Sequence, residues 1–404
     1  MTKKNTAIAT VVVTRQIAAP ASDLYRMFTN SSGLREWFCD VATTEPHVGG
    51  RLYCAWLNGD ALMGQFKALT LDKKMVMVVR AFDDDTDRST VTVTLREKAG
   101  VTTVKLSDTS DGRRWVELEH IVEHAWEEEL DNLKSLAETG EDLRITQRPM
   151  LGILMDSFDA AVAQKLGVPV KAGVRLSSVI DGLGAQQAGL AHNDVIVRLD
   201  GQPTPDLNVL DAIVRTHQAG DTLKVVFYRG PEKRTVQMTL SPRPLAPLPA
   251  SAAEFADALQ KTYTDGDKAL KALLKGVTDA QAEQRPSPDE WNTKQVLAHL
   301  ICGEHAIQWW IGTLLGGQEP HQDDWEGNQT LVVNAKVAAY GTLKRLLDEL
   351  IASEAGTVSL VRSLPDAFVA RKGTFRRLYA QLNPWTGHAR EHLDQIKAAL
   401  GSSA

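Results

Sequence analysis

At 404 residues the chain is too long for one ordinary hydrophobic core, and a share of roughly 150 residues per domain allows two or three. Its 43% hydrophobic and 24% charged residues suit a folded globular protein, and no apolar run approaches the roughly 20 residues needed to cross a bilayer. The net charge of −6 is spread, with 18 basic against 23 acidic side chains in residues 1–144, 11 against 9 in 145–249 and 16 against 19 in 250–404; no basic face is concentrated enough to suit a nucleic-acid partner.

Lys3 and Lys4 precede the apolar stretch Ala7 to Val13, but Arg15 interrupts it after about seven residues, short of the hydrophobic region of a secretory signal. The stretch reads as a first strand. Cys39, Cys54 and Cys302 are odd in number and scattered, so they make no disulfide framework, and a reducing, cytoplasmic setting is expected. Two seams divide the chain. One lies at Thr139 to Pro149, and the other is "SPRPLAPLPAS", Ser241 to Ser251, whose four prolines favour an extended linker. The expected domains are therefore residues 1–144, 145–243 and 250–404.

Alternation in "TVVVTRQIAA" predicts a strand, followed by a short helix at Ala21 to Thr29. Further β-like runs are Arg51–Leu57, Gly64–Leu71, Met75–Arg80, Thr90–Glu97 and Thr102–Thr109, separated by turn formers such as Asn58-Gly59. A long amphipathic helix closes the segment from about Val116 to Ala137, with Trp126, Leu130, Leu133 and Leu136 on one stripe. The acidic run Asp83, Asp84, Asp85 and Asp87 lacks the spacing and the Glu of a calcium-binding EF-hand loop and reads as a solvated hairpin. "TRQIAAPASDLYRMFTNSSGLREWF", "GGRLYCAW", "GQFKAL" and "WEEELDNLKSLAE" resemble the START-like (SRPBCC) superfamily, and within it the family of the activator of heat-shock protein 90 ATPase. The resemblance implies an α+β helix-grip fold with a cavity for a small apolar molecule. Trp37, Phe38, Trp56, Phe66 and Trp126 read, each by itself, as core.

In the second segment Asp200-Gly201 predicts a hairpin turn and Leu207 to His217 an amphipathic helix with Leu210, Ile213 and Val214 inward. "LGI", "AGLAHNDVIVRLDGQP" and "AGDTLKVVFYRGPEKRTVQMTL" resemble a PDZ domain of the HtrA protease type, a compact β-sandwich or barrel-like fold. The resemblance implies capture of a peptide or protein C-terminus as an added strand, its carboxylate held by backbone amides of Met150, Leu151, Gly152 and Ile153. Glycine at 152 would let the carboxylate approach closely. No trypsin-like protease domain and no G-x-S-x-G motif accompanies it, so protease activity of that type is not expected.

The third segment predicts helices at Ala253–Leu274, Thr293–Leu315, Leu331–Ala355 and Pro384–Leu400, which together suit an all-α four-helix bundle. Asn292 and Gln295 have the spacing of a capping box. His388 and His392 are i and i+4, so their rings leave one helix face a turn apart, and His299 sits in the apolar run "VLAHLI" of another helix. That pattern serves metal ligation or packed and capping histidines alike. "EWNTKQVLAHL" and "HAREH" resemble the DinB/YfiT-like family, which implies His299, His388 and His392 as ligands of a divalent metal ion, zinc or nickel, with one coordination position left over as in catalytic zinc sites. "HAREH" also spells H-x-x-E-H, but an inverted zinc-peptidase site needs a further acidic ligand downstream, and twelve residues remain. Cys302, i+3 from His299, reads as a buried thiol and His305 as lying on a different face. Trp309, Trp310, Trp325 and Trp385 read as packing between helices, and Glu304 and Glu391 are candidates to orient a ligand or act as a base.

The DinB resemblance implies a metal-dependent transferase using a low-molecular-weight thiol, or a hydrolase, and allows a homodimer through the bundle. The alternative is a non-enzymatic sensor or scaffold working through the PDZ groove and the START-like cavity.

Overall fold

The computed structural model describes residues 9–82, 88–110, 119–319, 329–382 and 385–401, with the side chains of 385–390 outside the description. Two compact units result: residues 1–140 together with 247–404, and residues 141–246. The acidic run at 83–87 and the expected helix start at Val116 lie outside the described residues.

The N-terminal part of the first unit runs β1 (Ala9–Ile17), α1 (Ala21–Thr29), α2 (Ser31–Trp37), β2 (Val41–Thr44), β3 (Arg51–Ala55), β4 (Ala61–Thr70), β5 (Lys74–Ala81), β6 (Ser89–Lys98), β7 (Val101–Ser110) and α3 (Glu119–Thr139). Period-two alternation makes the strands: Val91, Val93 and Leu95 of β6 are buried, while Thr90, Thr92 and Thr94 turn the other way. The seven strands form an antiparallel sheet in the order β1-β7-β6-β5-β4-β3-β2. α3 lies on its inner face with Leu130, Leu133 and Leu136 buried, and Asn132 donates to the Trp37 carbonyl at 2.7 Å. This is the expected α+β grip. The short α2 had no signal of its own, because its Ser-Ser-Gly start reads as a turn; Asn30, in an extended conformation, separates it from α1.

The aromatic side chains fill the space between sheet and helix. Phe38 stacks on Trp126 with ring centroids 5.7 Å apart and meets Trp56 edge-on at 5.2 Å, and the Trp126 indole N–H donates to Asp108 at 2.9 Å. The cavity left among Phe28, Trp37, Phe38, Cys54, Met77 and Trp126 is about 30 Å³. That is room for a water rather than an organic molecule.

The second unit contains α4 (Leu143–Thr146), β8 (Ile153–Asp156), α5 (Ala160–Leu166), β9 (Val174–Val179), α6 (Gly184–Gln187), β10 (Val195–Leu199), β11 (Gln202–Pro203), α7 (Leu207–Val214), β12 (Thr222–Arg229) and β13 (Glu232–Thr239). The sheet order is β13-β12-β10-β9-β8, with β11 on β10. Asp200 (φ 47°) and Gly201 (φ 77°) make the expected β10–β11 turn, both central residues being left-handed as a tight hairpin of this hand requires. α7 buries Leu210, Ile213 and Val214 as its sequence pattern predicts, and is capped by Asp206. The two ends of the unit meet: Met150 and Ser241 exchange backbone hydrogen bonds at 2.9 Å, and Arg243 N–H donates to the Thr146 carbonyl at 3.1 Å.

The C-terminal part of the first unit is helical: α8 (Ala252–Leu273), α9 (Asp279–Ala282), α10 (Thr293–Leu315), α11 (Gln329–Tyr340), α12 (Leu343–Arg362), α13 (Asp366–Val369), α14 (Lys372–Leu382) and α15 (Trp385–Gly401). The four long helices α8, α10, α12 and α15 make the bundle. The single helix expected at Leu331–Ala355 is two, because Gly341 (φ 77°) reverses the chain and the Thr342 side chain caps α12 by accepting from Arg345 N–H. α14 was not anticipated; its burial of Phe375, Leu378 and Leu382 sets it in the upper bundle core with Phe255 and Phe368.

Candidate functional site

Asn292 and Gln295 close the expected capping box at the start of α10, each side chain meeting the other's backbone N–H. The cap fixes where α10 begins, and so places His299 on the second turn, half-buried against the Trp291 ring at 5.0 Å between centroids. His392, 8% exposed on α15, faces it from the other side: the two imidazole centroids are 5.0 Å apart at an interplanar angle of 61°. The His392 Nδ1 lies 2.8 Å from the Gln395 side-chain carbonyl oxygen. A carbonyl only accepts, so Nδ1 is the donor of this pair.

Two imidazoles bound to one tetrahedral zinc at ~2.0–2.1 Å would have their centroids ~5 Å apart. The His299–His392 spacing fits a shared ion. The third expected ligand, His388, is on α15 one turn before His392, but its side chain lies outside the described residues. Among the described residues no three His, Cys, Asp or Glu side chains are grouped to hold a metal.

Beside His392 the four long helices enclose a cavity of about 50 Å³, lined by Tyr263 and Asp267 of α8, Glu304 of α10 and Glu354 of α12 as well as Leu270 and Ile396. Glu304 is 1% exposed and accepts from Tyr263 (2.9 and 3.1 Å) and from the Thr357 hydroxyl (2.6 Å). Burial, then the Glu304 charge, pushes the Tyr263 hydroxyl up. Burial first, with the charges of Asp267 and Glu304 behind it, pushes the Glu354 carboxyl up to about 9. At neutral pH that group keeps its proton.

Of the other sequence candidates, Glu391 is exposed and Glu304 lies at the cavity. His305 turns away to Lys336 (3.2 Å) and Glu349 (3.8 Å). Cys302 is half-buried, its thiol pushed up by burial. Trp310 packs against the upper core and its indole N–H donates to Glu319 at 3.4 Å, whereas Trp309 is 56% exposed. Trp325 and the Trp385 side chain lie outside the described residues. Sequence reasoning missed Tyr263, Asp267, Glu354 and Thr357, whose signal was polar side chains on otherwise inward-facing helix positions.

In the second unit, β8 is an edge strand and exposes Leu154 (53%) and Met155 (41%). The loop before it is pinned: the Leu151 carbonyl accepts from Ala185 and the Gly152 carbonyl from Ile180, both at 2.8 Å. Gly152 has φ 78°, and a Cβ there would stand 2.4 Å from the Leu183 Cβ. The glycine is required by the fold of this loop itself, before any ligand arrives.

No described helix is long and apolar enough to cross a membrane. Residues 18–138 match the family of activator of Hsp90 ATPase homolog 1-like proteins, residues 149–240 the PDZ domain and residues 262–396 the DinB superfamily. The chain is 29% identical over 100 residues to a probable periplasmic serine endoprotease DegP-like of Marinomonas sp., covering 25% of this chain and 21% of that one. It is 34% identical over 99 residues to the serine protease Do-like HtrA of Lactococcus lactis subsp. lactis, covering 23% and 24%. The chain thus spans a quarter or less of the length of these two relatives. A solved HSP90 activator from Plasmodium falciparum is 27% identical, covering 25% of this chain and 71% of that one at a TM-score of 0.23. The chain is a multidomain protein that joins, in order, an AHSA1-type START-like domain, a PDZ domain and a DinB-type helical domain.

Proposed function

We propose that the DinB-type domain binds a divalent metal ion, zinc or nickel, through His299, His388 and His392. The observation that carries this reading is the pairing of His299 and His392, from two helices, at a centroid distance of 5.0 Å that suits a shared tetrahedral ion. Gln395 supports it by fixing the His392 tautomer, the role an outer hydrogen-bond partner plays for a ligating imidazole. DinB domains are generally metal-associated, in line with this donor set.

Bound there, the ion would lower the pKa of a thiol or a water and hold the resulting nucleophile. Asp267, Glu304 and Glu354 would then supply charge and a proton at the neighbouring cavity. This suits a thiol-dependent transferase or a metal-dependent hydrolase, with a low-molecular-weight thiol as co-substrate in the first case. The test is elemental mass spectrometry on protein purified without a histidine tag, beside the His388→Ala/His392→Ala double variant. About one equivalent that the variant loses is expected; no metal after incubation with zinc or nickel would overturn the reading.

A second activity is favoured by the exposed edge of β8. A peptide C-terminus added there would pair with Ile153 to Asp156, its carboxylate near Met150, Leu151 and Gly152. Taken alone, that activity makes the chain a scaffold rather than an enzyme. Saturable binding of C-terminal but not C-amidated peptides, by the metal-free protein, tests it. An apolar ligand of the START-like domain would need Phe38 or Trp126 to swing aside. A reducing, cytoplasmic setting is tested by thiol titration of the freshly purified protein. A homodimer through the bundle is tested by sedimentation.

A further inference from the structure

We propose that the START-like domain is a built-in brace for α14, docked on the DinB-type domain of its own chain. The inference concerns helix order, and it bears on metal binding only through the reading above.

Two buried carboxylates carry the argument, one from each domain. Glu36 of α2 is 2% exposed; Arg26 holds it with two hydrogen bonds at 2.9 and 3.2 Å, and the Thr374 hydroxyl of α14 donates to it at 2.5 Å. Glu319, after α10, is 4% exposed and is held from both sides: by Arg377 of α14 through two hydrogen bonds and by Arg35 of α2 at 3.3 Å. The Glu319 N–H donates to the Ser31 hydroxyl at 3.1 Å. Burying a carboxylate costs several kcal/mol unless fixed partners replace its water, and here the partners span both domains.

The fit is close as well as charged. A Cβ on Gly373 would stand 2.8 Å from the Leu136 side chain of α3 and 3.0 Å from the Glu36 Oε2, so α14 approaches the START-like domain at a distance only glycine allows. Lys372 donates to the Glu138 carbonyl, and Arg371 meets Asp23 at 3.5 Å. α14 is therefore gripped along its first turns by α2 and α3.

The intervening unit leaves and returns through the paired Thr146–Arg243 and Met150–Ser241 backbones, which frees residues 1–140 and 247–404 to fold as neighbours.

Two measurements on the full chain test this. Hydrogen exchange is compared between the parent and Arg35→Glu, which opposes Glu319 without altering the bundle's own packing. Exchange at residues 372–382 is expected to rise about tenfold, a loss of ~1.4 kcal/mol of local stability. Unchanged exchange there, with β5 and β6 still protected, would overturn the brace. Should Arg35→Glu unfold the START-like domain, the second measurement decides: protease sites inserted after Glu141 and after Ala246 are cut in the otherwise unchanged protein. Residues 1–141 and 247–404 are expected to co-elute at roughly micromolar concentration; separate elution sinks the proposal. Metal content of the uncut parent is read independently, so absence of metal would remove the proposed chemistry and leave the brace standing.

Discussion

The Tyr263 hydroxyl donates to both carboxylate oxygens of Glu304, at 2.9 and 3.1 Å, tying α8 to α10 across the centre of the bundle. Glu304 is buried, so each donor replaces water that it cannot reach. Tyr263→Phe removes one donor and leaves Thr357. The expected cost is about 1.5–3 kcal/mol, the range for a hydrogen bond to a charged group, read as a lower urea midpoint at unchanged slope.

Glu354 sets a pH dependence. Unfolded, a Glu loses its proton near ~4.3, whereas burial and the neighbouring carboxylates hold this one until about 9. Between those values the folded protein binds a proton that the unfolded chain has released. Its contribution is therefore fully present below the lower value and falls as pH rises towards the upper one. In metal-free protein Glu354→Gln is expected to flatten that fall, its melting temperature exceeding the parent's by a wider margin at pH 8.5 than at pH 5. A parallel pair of curves would contradict the assignment.

If His392 ligates a metal, Gln395 is its outer support. Gln395→Leu removes the acceptor for the Nδ1 proton and is expected to weaken zinc affinity by about 10- to 100-fold, measured by competition with a chelating dye. The fold should be unchanged by circular dichroism.

Gly152→Ala forces both a left-handed alanine and a Cβ against Leu183. The expected cost is about 2 kcal/mol or more, confined to the PDZ unit. Calorimetry of the full chain should show one transition lowered and the other unmoved.

Much of this was legible in the residues. β6 was readable because Thr90 to Leu95 alternates Thr with Val or Leu, and β7 because Val104 and Leu106 alternate with polar Thr103, Lys105 and Ser107, a period of two that suits a strand. The His388–His392 spacing and the Asn292–Gln295 cap are local, and local patterns survive without tertiary knowledge. The carboxylate-lined cavity is not local. Tyr263, Glu304 and Glu354 lie on three helices tens of residues apart, and nothing in the sequence says that they converge. α14 escaped notice for a related reason: its burial is created by α2, α3 and the upper bundle core, and Gly373, a poor helix former, is present because of what it touches.

The neck of the PDZ unit has an entropic consequence for its host. Closing a flexible loop costs free energy that grows with the logarithm of its length, by roughly 0.6 kcal/mol for each doubling. An unfolded insert the size of the PDZ unit would impose the full closure penalty on residues 1–140 and 247–404. Once Met150 pairs with Ser241 and Thr146 with Arg243, that span is short-circuited, and the host closes around little more than the few residues on either side. A lesion in the neck is therefore expected to cost stability in a domain it does not belong to, because the host must then close a longer loop.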